Sequence, residues 1–195
     1  MNAGQTDIAV IADSIAEAEC FGRIFDRHYR SVHCFATRRL GSALADDVAA
    51  ETFARAFKSR AKFASDSGSA LPWLYGIASN VMRMHSRGEV RRLRAYARTG
   101  IDPVEDFSGS AADRASADAG RTALLGALAK LGRRDRELVL LAAWTDLSSS
   151  EIGEALDMPD TTVLTRLARA RKKLAQTPEL RPGPDDADLV MEENR

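Results

Sequence analysis

The side chains best suited to chemistry in this chain cluster between residues 161 and 172. They are Thr161, Thr162, Thr165, Arg166, Arg169 and Lys172, with Leu164 set among them. Threonine hydroxyls and guanidinium groups bond phosphate oxygens and base edges, and a bidentate arginine is worth roughly 1–3 kcal/mol of discrimination between bases. Val163, Leu167, Ala170 and Leu174 recur at three- and four-residue intervals and claim one side of a helix for a core, which turns the polar set outward. This is chemistry of recognition. No paired buried carboxylates, nucleophile with its base, glycine-rich phosphate loop or metal cluster is visible in the sequence, so no catalytic residue is assigned and the chain is read as non-enzymatic.

Those side chains need a scaffold, and the residues just before them supply one. Ser148 and Glu151 have capping-box spacing, with Ile152, Ala155 and Leu156 following on one face. Asp157-Met158-Pro159-Asp160 stops that helix, and Asp160 is expected to cap the next. Two short helices joined by a tight turn, the second basic and threonine-rich, form the layout of a helix-turn-helix whose second helix enters the major groove. An antiparallel helical hairpin with a solvated basic face has the same periodicity, so the rest of the chain must decide.

The 195 residues suffice for one ordinary domain or two small ones. Lysine plus arginine and aspartate plus glutamate each number 28, a net charge of zero that announces no general affinity for nucleic acid. The distribution is more informative. Arg83, Arg87, Arg91, Arg92, Arg94 and Arg98 form one basic run, and Arg166, Arg169, Arg171, Lys172 and Lys173 a second. Acidic residues sit between them (Asp102, Glu105, Asp106, Asp113, Asp118) and after them (Asp185, Asp186, Asp188, Glu192, Glu193). Two basic patches set apart suit a protein that touches DNA twice. Cys20 and Cys34 form no CxxC pair, and His33 and Cys34 point to different sides of a helix, so neither a metal site nor a cofactor is expected. The apolar run 8–12 is too short for a signal peptide and no segment is long enough to span a membrane, which leads to the expectation of a cytoplasmic protein.

Nearly everything before residue 98 reads as helix. Phe21, Ile24, Phe25, His28, Val32 and Phe35 make one apolar stripe ending near Gly41, with His28 read as a packed core-edge residue. Val48, Ala49, Thr52, Phe53, Ala56 and Phe57 make the buried face of the next helix, with Asp47, Glu51, Ala54, Arg55 and Lys58 opposite. After a loop around 64–69, Pro72 suits a first helical turn. Leu74, Ile77, Ala78 and Val81 then form a buried stripe opposed by Asn80, Arg83, Met84 and Arg87. Residues 99–120 are poor in large apolar side chains and read as a flexible linker, 121–176 as a second helical unit, and 177–195 as a disordered acidic tail. The fold class is therefore all-α, with two small helical domains (1–98 and 121–176) on a tether.

Three ordered segments now carry a family resemblance: Phe21 to Tyr29, Asp46 to Phe57 and Trp73 to Asn80. They resemble the successive conserved parts of region 2 of extracytoplasmic-function (ECF) sigma factors. Leu128-Ala129-Lys130-Leu131 with Arg134-Asp135-Arg136-Glu137 through Leu174 resembles region 4 of the same family. The resemblance implies a subunit that binds core RNA polymerase, reads promoter DNA both as duplex and as single strand, and needs no cofactor.

The resemblance also implies roles for particular residues. Thr161, Thr162, Thr165 and Arg169 match positions facing the upstream promoter element, with Leu164, Arg166 and Lys172 on the same helix; Leu164 departs from the usual arginine or lysine. Asn80 matches a position that holds a flipped base of the downstream element, with Arg83 and Arg87 continuing its face and Trp73 as a groove wall. Gly76 stands where arginine is frequent, which removes a phosphate contact. Asp46, Asp47, Glu51 and Arg55 match the helix that docks on the clamp helices of the polymerase largest subunit, with the flap as the expected seat of region 4; Ala50 replaces a usual glutamine. Many members are held by an anti-sigma protein, and the resemblance admits one here. Residues 99–120 extend to at most roughly 70 Å, near two turns of B-DNA at about 34–36 Å each. The rival reading is a stand-alone helix-turn-helix regulator whose first half senses or dimerises.

Overall fold

The computed structural model describes residues 5–64, 68–85, 90, 91, 93–95 and 123–176. Among them every regular element is helical. Helix α1 (Asp7–Ala16) starts where Thr6 Oγ1 accepts the Ala9 amide at 3.3 Å. Helix α2 (Gly22–Leu40) stops at Gly41, whose φ of 91° continues no helix, and α3 (Ser42–Ser59) begins at once. Helix α4 (Leu71–Met82) carries Pro72 in its first turn, where a missing amide hydrogen costs nothing. Short 3₁₀ turns at Ala18–Phe21, Arg60–Lys62 and Arg83–His85 join or extend these helices.

Beyond residue 122 come α5 (residues 123–130), α6 (Arg133–Trp144), α7 (Ser149–Leu156) and α8 (Asp160–Ala175). The expected capping box is present: Glu151 N donates to Ser148 Oγ at 3.3 Å, and Ser148 N donates to Glu151 Oε2 at 2.8 Å. Asp157 closes α7 in the left-handed region at φ 52°, a conformation aspartate tolerates better than most residues. Gly153 is needed on the other side of that turn, because a Cβ there would stand 2.6 Å from the Met158 carbonyl oxygen. One local expectation fails. Asp160 does not cap α8; Pro159 occupies the cap position without a side-chain bond, and Asp160 is the first helical residue, where its charge still complements the helix dipole.

The first four helices wrap around Val10, Ile11, Ile24, Val32, Phe35, Val48, Phe53, Leu74 and Ala78, all nearly inaccessible to water. The predicted stripes of α3 and α4 are buried except at their edges, where Phe57 and Ile77 are only partly covered. The α2 stripe needs one correction: Phe25 is 39% exposed and lies over Tyr29 and Phe53, with ring centroids 4.9 Å from each. A second, smaller cluster in the C-terminal half joins Leu128, Leu131, Leu140 and Ala170, and Leu93 is buried within it. The end of the first helical unit is thereby sunk into the second. Residues 99–120 and 177–195 lie outside the described residues.

The two units also share a core. Leu138, Leu141, Ile152, Val163 and Leu167 belong to the same buried cluster as Leu74, Tyr75 and Ala78. Around this seam Arg39 is buried and its guanidinium meets the Glu137 carboxylate in a two-pronged pair, Nη2 donating to Oε2 at 3.1 Å. Arg38 Nη1 donates to the Trp144 carbonyl at 3.3 Å. Removing one member of a buried pair strands the other charge, a loss on the order of 3–5 kcal/mol.

Candidate nucleic-acid interface

On α8, Val163, Leu167 and Ala170 are buried, which turns Thr161, Leu164, Thr165, Arg169 and Lys172 to the surface as the periodicity requires; Thr162 is half-buried at the edge. Leu164, 52% exposed, is the apolar tip of this face. An exposed leucine there has the chemistry to meet a thymine methyl. Thr165 differs from the expectation in one respect: its hydroxyl donates to the Thr161 carbonyl at 2.8 Å, so it meets a ligand as an acceptor. Arg166 sits differently again. Its Nη1 donates to Asp135 Oδ1 at 3.3 Å, which ties α8 to α6 and directs this guanidinium away from the outer edge. Arg169, Lys172 and Lys173 line a shallow groove with Asp135, Arg166 and Gln176, a concave and mainly basic strip suited to phosphate oxygens.

The other predicted set lies on α4. Buried Leu74, Ala78, Val81 and Met82 orient Asn80 and Arg83 outward, and both are exposed. Trp73 is half-buried against Phe63, ring centroids 4.9 Å apart, as a wall beside the loop and not a free stacking platform. Arg87 lies outside the described residues. Ser79, Asn80 and Arg83 line a cleft of about 330 Å³ whose opposite wall is Arg133, Arg134, Glu137 and residues 155–158 of the second unit. Sequence reasoning did not bring these two sets of residues together. Gly76 holds the reason: a Cβ there would stand 2.4 Å from the Ala155 carbonyl oxygen, so only glycine lets α7 lie this close to α4.

The start of α4 is anchored from a distance by Asp7. Its Oδ2 accepts the Ala70 amide at 2.9 Å and lies 2.7 Å from His28 Nε2, while Arg27 Nη1 donates to Oδ1 at 2.8 Å. Burial alone would raise this carboxyl's pKa; the hydrogen bonds from His28, the Ala70 backbone and Arg27, with the His28 charge, outweigh it and hold the group well below the usual carboxylate range. His28 is thus a partly buried partner of Asp7, a role its place on the stripe did not disclose. On the same side of the seam, burial and the nearby Asp146 charge push the Tyr75 hydroxyl up to about 12.

The third predicted set occupies the outer face of α3. Asp46, Asp47, Glu51 and Arg55 are all exposed there. Arg55 Nε donates to Glu51 Oε1 at 2.6 Å one turn away, an exposed pair worth only a few tenths of a kcal/mol. Tyr29 Oη donates to Asp46 at 3.2 Å and His33 Nε2 lies 3.1 Å from the same carboxylate, beside the exposed edge of Phe25. This aromatic shoulder on α2 was missed in the sequence because the stripe was read as wholly buried. Among the described residues no group of three or more His, Cys, Asp or Glu is placed to hold a metal ion, and no helix is long and apolar enough to cross a membrane.

Comparison with known proteins follows the same division. The Sigma-70 region 2 family matches residues 24–98 and the Sigma-70 region 4 family matches residues 121–174. The chain is 30% identical over 186 residues to the ECF RNA polymerase sigma factor SigC of Mycobacterium tuberculosis, covering 92% of this chain and 95% of that one. It is 29% identical over 172 residues to the ECF RNA polymerase sigma factor BldN of Streptomyces coelicolor, covering 88% of this chain and 63% of that longer protein. The fold resembles that of CnrH, solved in complex with the cytosolic domain of CnrY, with a TM-score of 0.59 at 22% identity over 98% of this chain and all of CnrH.

Proposed function

Because this chain belongs to the ECF sigma factors of the sigma-70 family, we propose that its helical units divide one task between three exposed surfaces. It is an RNA polymerase sigma factor that directs transcription initiation at specific promoters, and not a stand-alone regulator. The outer face of α3, with Asp46, Asp47, Glu51, Arg55 and the aromatic shoulder of Phe25 and Tyr29, docks on the clamp helices of the polymerase largest subunit. Exposed charges there set register and on-rate, and the apolar edge of Phe25 adds area to bury. The second unit seats on the flap.

The α8 face reads the upstream element as duplex. Arg169 supplies the bidentate contact, Lys172 neutralises phosphate, Thr161 and Thr162 satisfy backbone or base oxygens, and Leu164 touches a thymine methyl. Arg166 serves from behind, holding α8 on α6 through Asp135. Asn80 offers a donor and an acceptor to the edge of an extruded base of the downstream element, and Arg83, continued by Arg87, follows the strand. Trp73 and Phe63 wall that pocket. An anti-sigma partner would block this work by covering the same surfaces; CnrH, of similar fold, is itself bound by another protein's cytosolic domain.

The observation that supports this reading is the order of the family matches: Sigma-70 region 2 over residues 24–98, which bear the exposed Asn80 and Arg83, then Sigma-70 region 4 over residues 121–174, which bear the exposed face of α8. A gel-shift series separates it from the rival. With promoter duplex and this protein alone, no specific complex forms at physiological salt; with core polymerase added, one does. A specific shift by the protein alone, unchanged by core enzyme, would support the regulator and overturn this assignment.

A further inference from the structure

The cleft beside Asn80 holds chemistry that the strand-holding role does not use. Ser79 lines it, is only 8% exposed, and its Oγ has no hydrogen-bond partner. A hydroxyl on a helix ordinarily bonds the carbonyl four residues back, as Thr52 and Thr165 do with Val48 and Thr161. A buried hydroxyl left unmet costs free energy, so one facing a cavity points to a ligand atom that meets it. Among the described residues the other unmet buried side-chain atom is Glu154 Oε1, and Glu154 does not line the cleft.

The charge of the cleft is lopsided. Among the described residues Arg83, Arg133 and Arg134 line it against two carboxylates. One of these, Glu137, is already paired with buried Arg39, and the other, Asp157, is exposed to water. Arg133 and Arg134 also form the first turn of α6, which Gly132 caps without a side-chain bond. The amides of that turn lack intrahelical acceptors and carry the positive end of the helix dipole. Guanidinium groups beside such a turn hold phosphate oxygens well. Leu156 and Met158 add an apolar surface, and Asn80 offers a donor and an acceptor. At about 330 Å³ the cleft stands at the small end of ligand pockets, which span roughly 300–1,000 Å³. It has room for one nucleotide and not for a run of them.

We propose that this cleft binds a single free nucleotide, a nucleoside di- or triphosphate. Arg133, Arg134 and the first turn of α6 hold the phosphates, Ser79 Oγ bonds a ligand oxygen, and the base covers Leu156 and Met158. The site itself needs no functional reading. Its consequence rests on the role proposed above for Asn80 and Arg83: a nucleotide in the cleft occupies both, so nucleotide and promoter strand exclude one another there.

The test titrates the full chain by calorimetry, without core enzyme, using GTP, ATP, inorganic pyrophosphate and a short oligothymidylate. A triphosphate should bind at one site, about tenfold more tightly than pyrophosphate, because the base adds buried apolar area. Arg133 and Arg134 are exposed, so truncating them leaves the fold intact. Arg133→Ala and Arg134→Ala should each weaken triphosphate binding by about tenfold. Ser79→Ala should weaken it by about 3- to 10-fold while the Tm of the free chain stays the same or rises, since no bond of the free protein is lost. With core enzyme present, added triphosphate should reduce promoter opening by the wild type and spare Arg134→Ala. No triphosphate binding, or binding that all three variants leave untouched, would overturn the site. Pyrophosphate binding as tightly as GTP would overturn the nucleoside assignment. Tighter binding of the oligothymidylate, weakened by the same variants, would give the cleft to the promoter strand instead. Nucleotide binding that leaves promoter opening unchanged would uphold the site and count against the strand-holding role of Asn80.

Discussion

Asp7 is assigned to neither DNA nor polymerase, yet it fixes where α4 begins by accepting the Ala70 amide between His28 and Arg27. Its folded-state pKa is depressed, so its stabilisation is fully present above the ordinary carboxylate value of 3.8 and is lost as pH falls below it. Asp7→Asn should cost about 2–4 kcal/mol at pH 7. By chemical denaturation the gap between variant and wild type should stay constant from pH 7 to about 4 and then shrink. A gap that widens on acidification would contradict the sign. Asn80 belongs to the same scale with a different readout. Asn80→Ala should reduce promoter opening, followed by permanganate reactivity of unpaired thymines, by about 5- to 150-fold, in line with the roughly 1–3 kcal/mol of one lost base contact. Core affinity should stay unchanged, and an equal loss of it would assign Asn80 to the polymerase interface.

At the scale of elements, the helices were legible wherever periodicity and capping chemistry agreed. The stripes Val48–Phe53–Ala56 and Leu74–Ala78–Val81 are buried as their spacing requires, and the Ser148–Glu151 box starts α7 where its residues predict. Ser148→Ala should cost about 1 kcal/mol of stability, visible as a lower Tm, and should weaken upstream-element binding only through that loss. A selective loss of base discrimination at full stability would mean Ser148 touches DNA. What misled the reading is equally local. Phe25 has the spacing of a core residue but sits at the rim of its stripe, where nearness to Tyr29 and Phe53 replaces burial. Asp160 looks like a cap, but Pro159 takes that place because its fixed φ suits the turn leaving Met158. Arg166 has the residue type of either a DNA contact or a salt-bridged helix flank, and its partner Asp135, 31 residues earlier, is not legible from local pattern.

At the scale of the molecule, periodicity reports that a helix has a buried face and is silent on which helix covers it. Leu138, Leu141 and Ile152 fall in the stretch 121–176 that reads as a separate helical unit, and they share one cluster with Leu74 and Ala78. Gly76 was the clue, since its type departs from a charged family position, but its cause lies in Ala155, 79 residues later, where local pattern cannot see it. The central claim is that the two units read a promoter together only as part of polymerase. The most direct measurement is in vitro transcription from a promoter located by mapping RNA 5′ ends in cells producing this protein, with purified core enzyme, plus and minus the chain. The account predicts specific initiation only when the chain is added. Initiation at the same start and rate without it, or none with it despite a bound complex, would contradict the account.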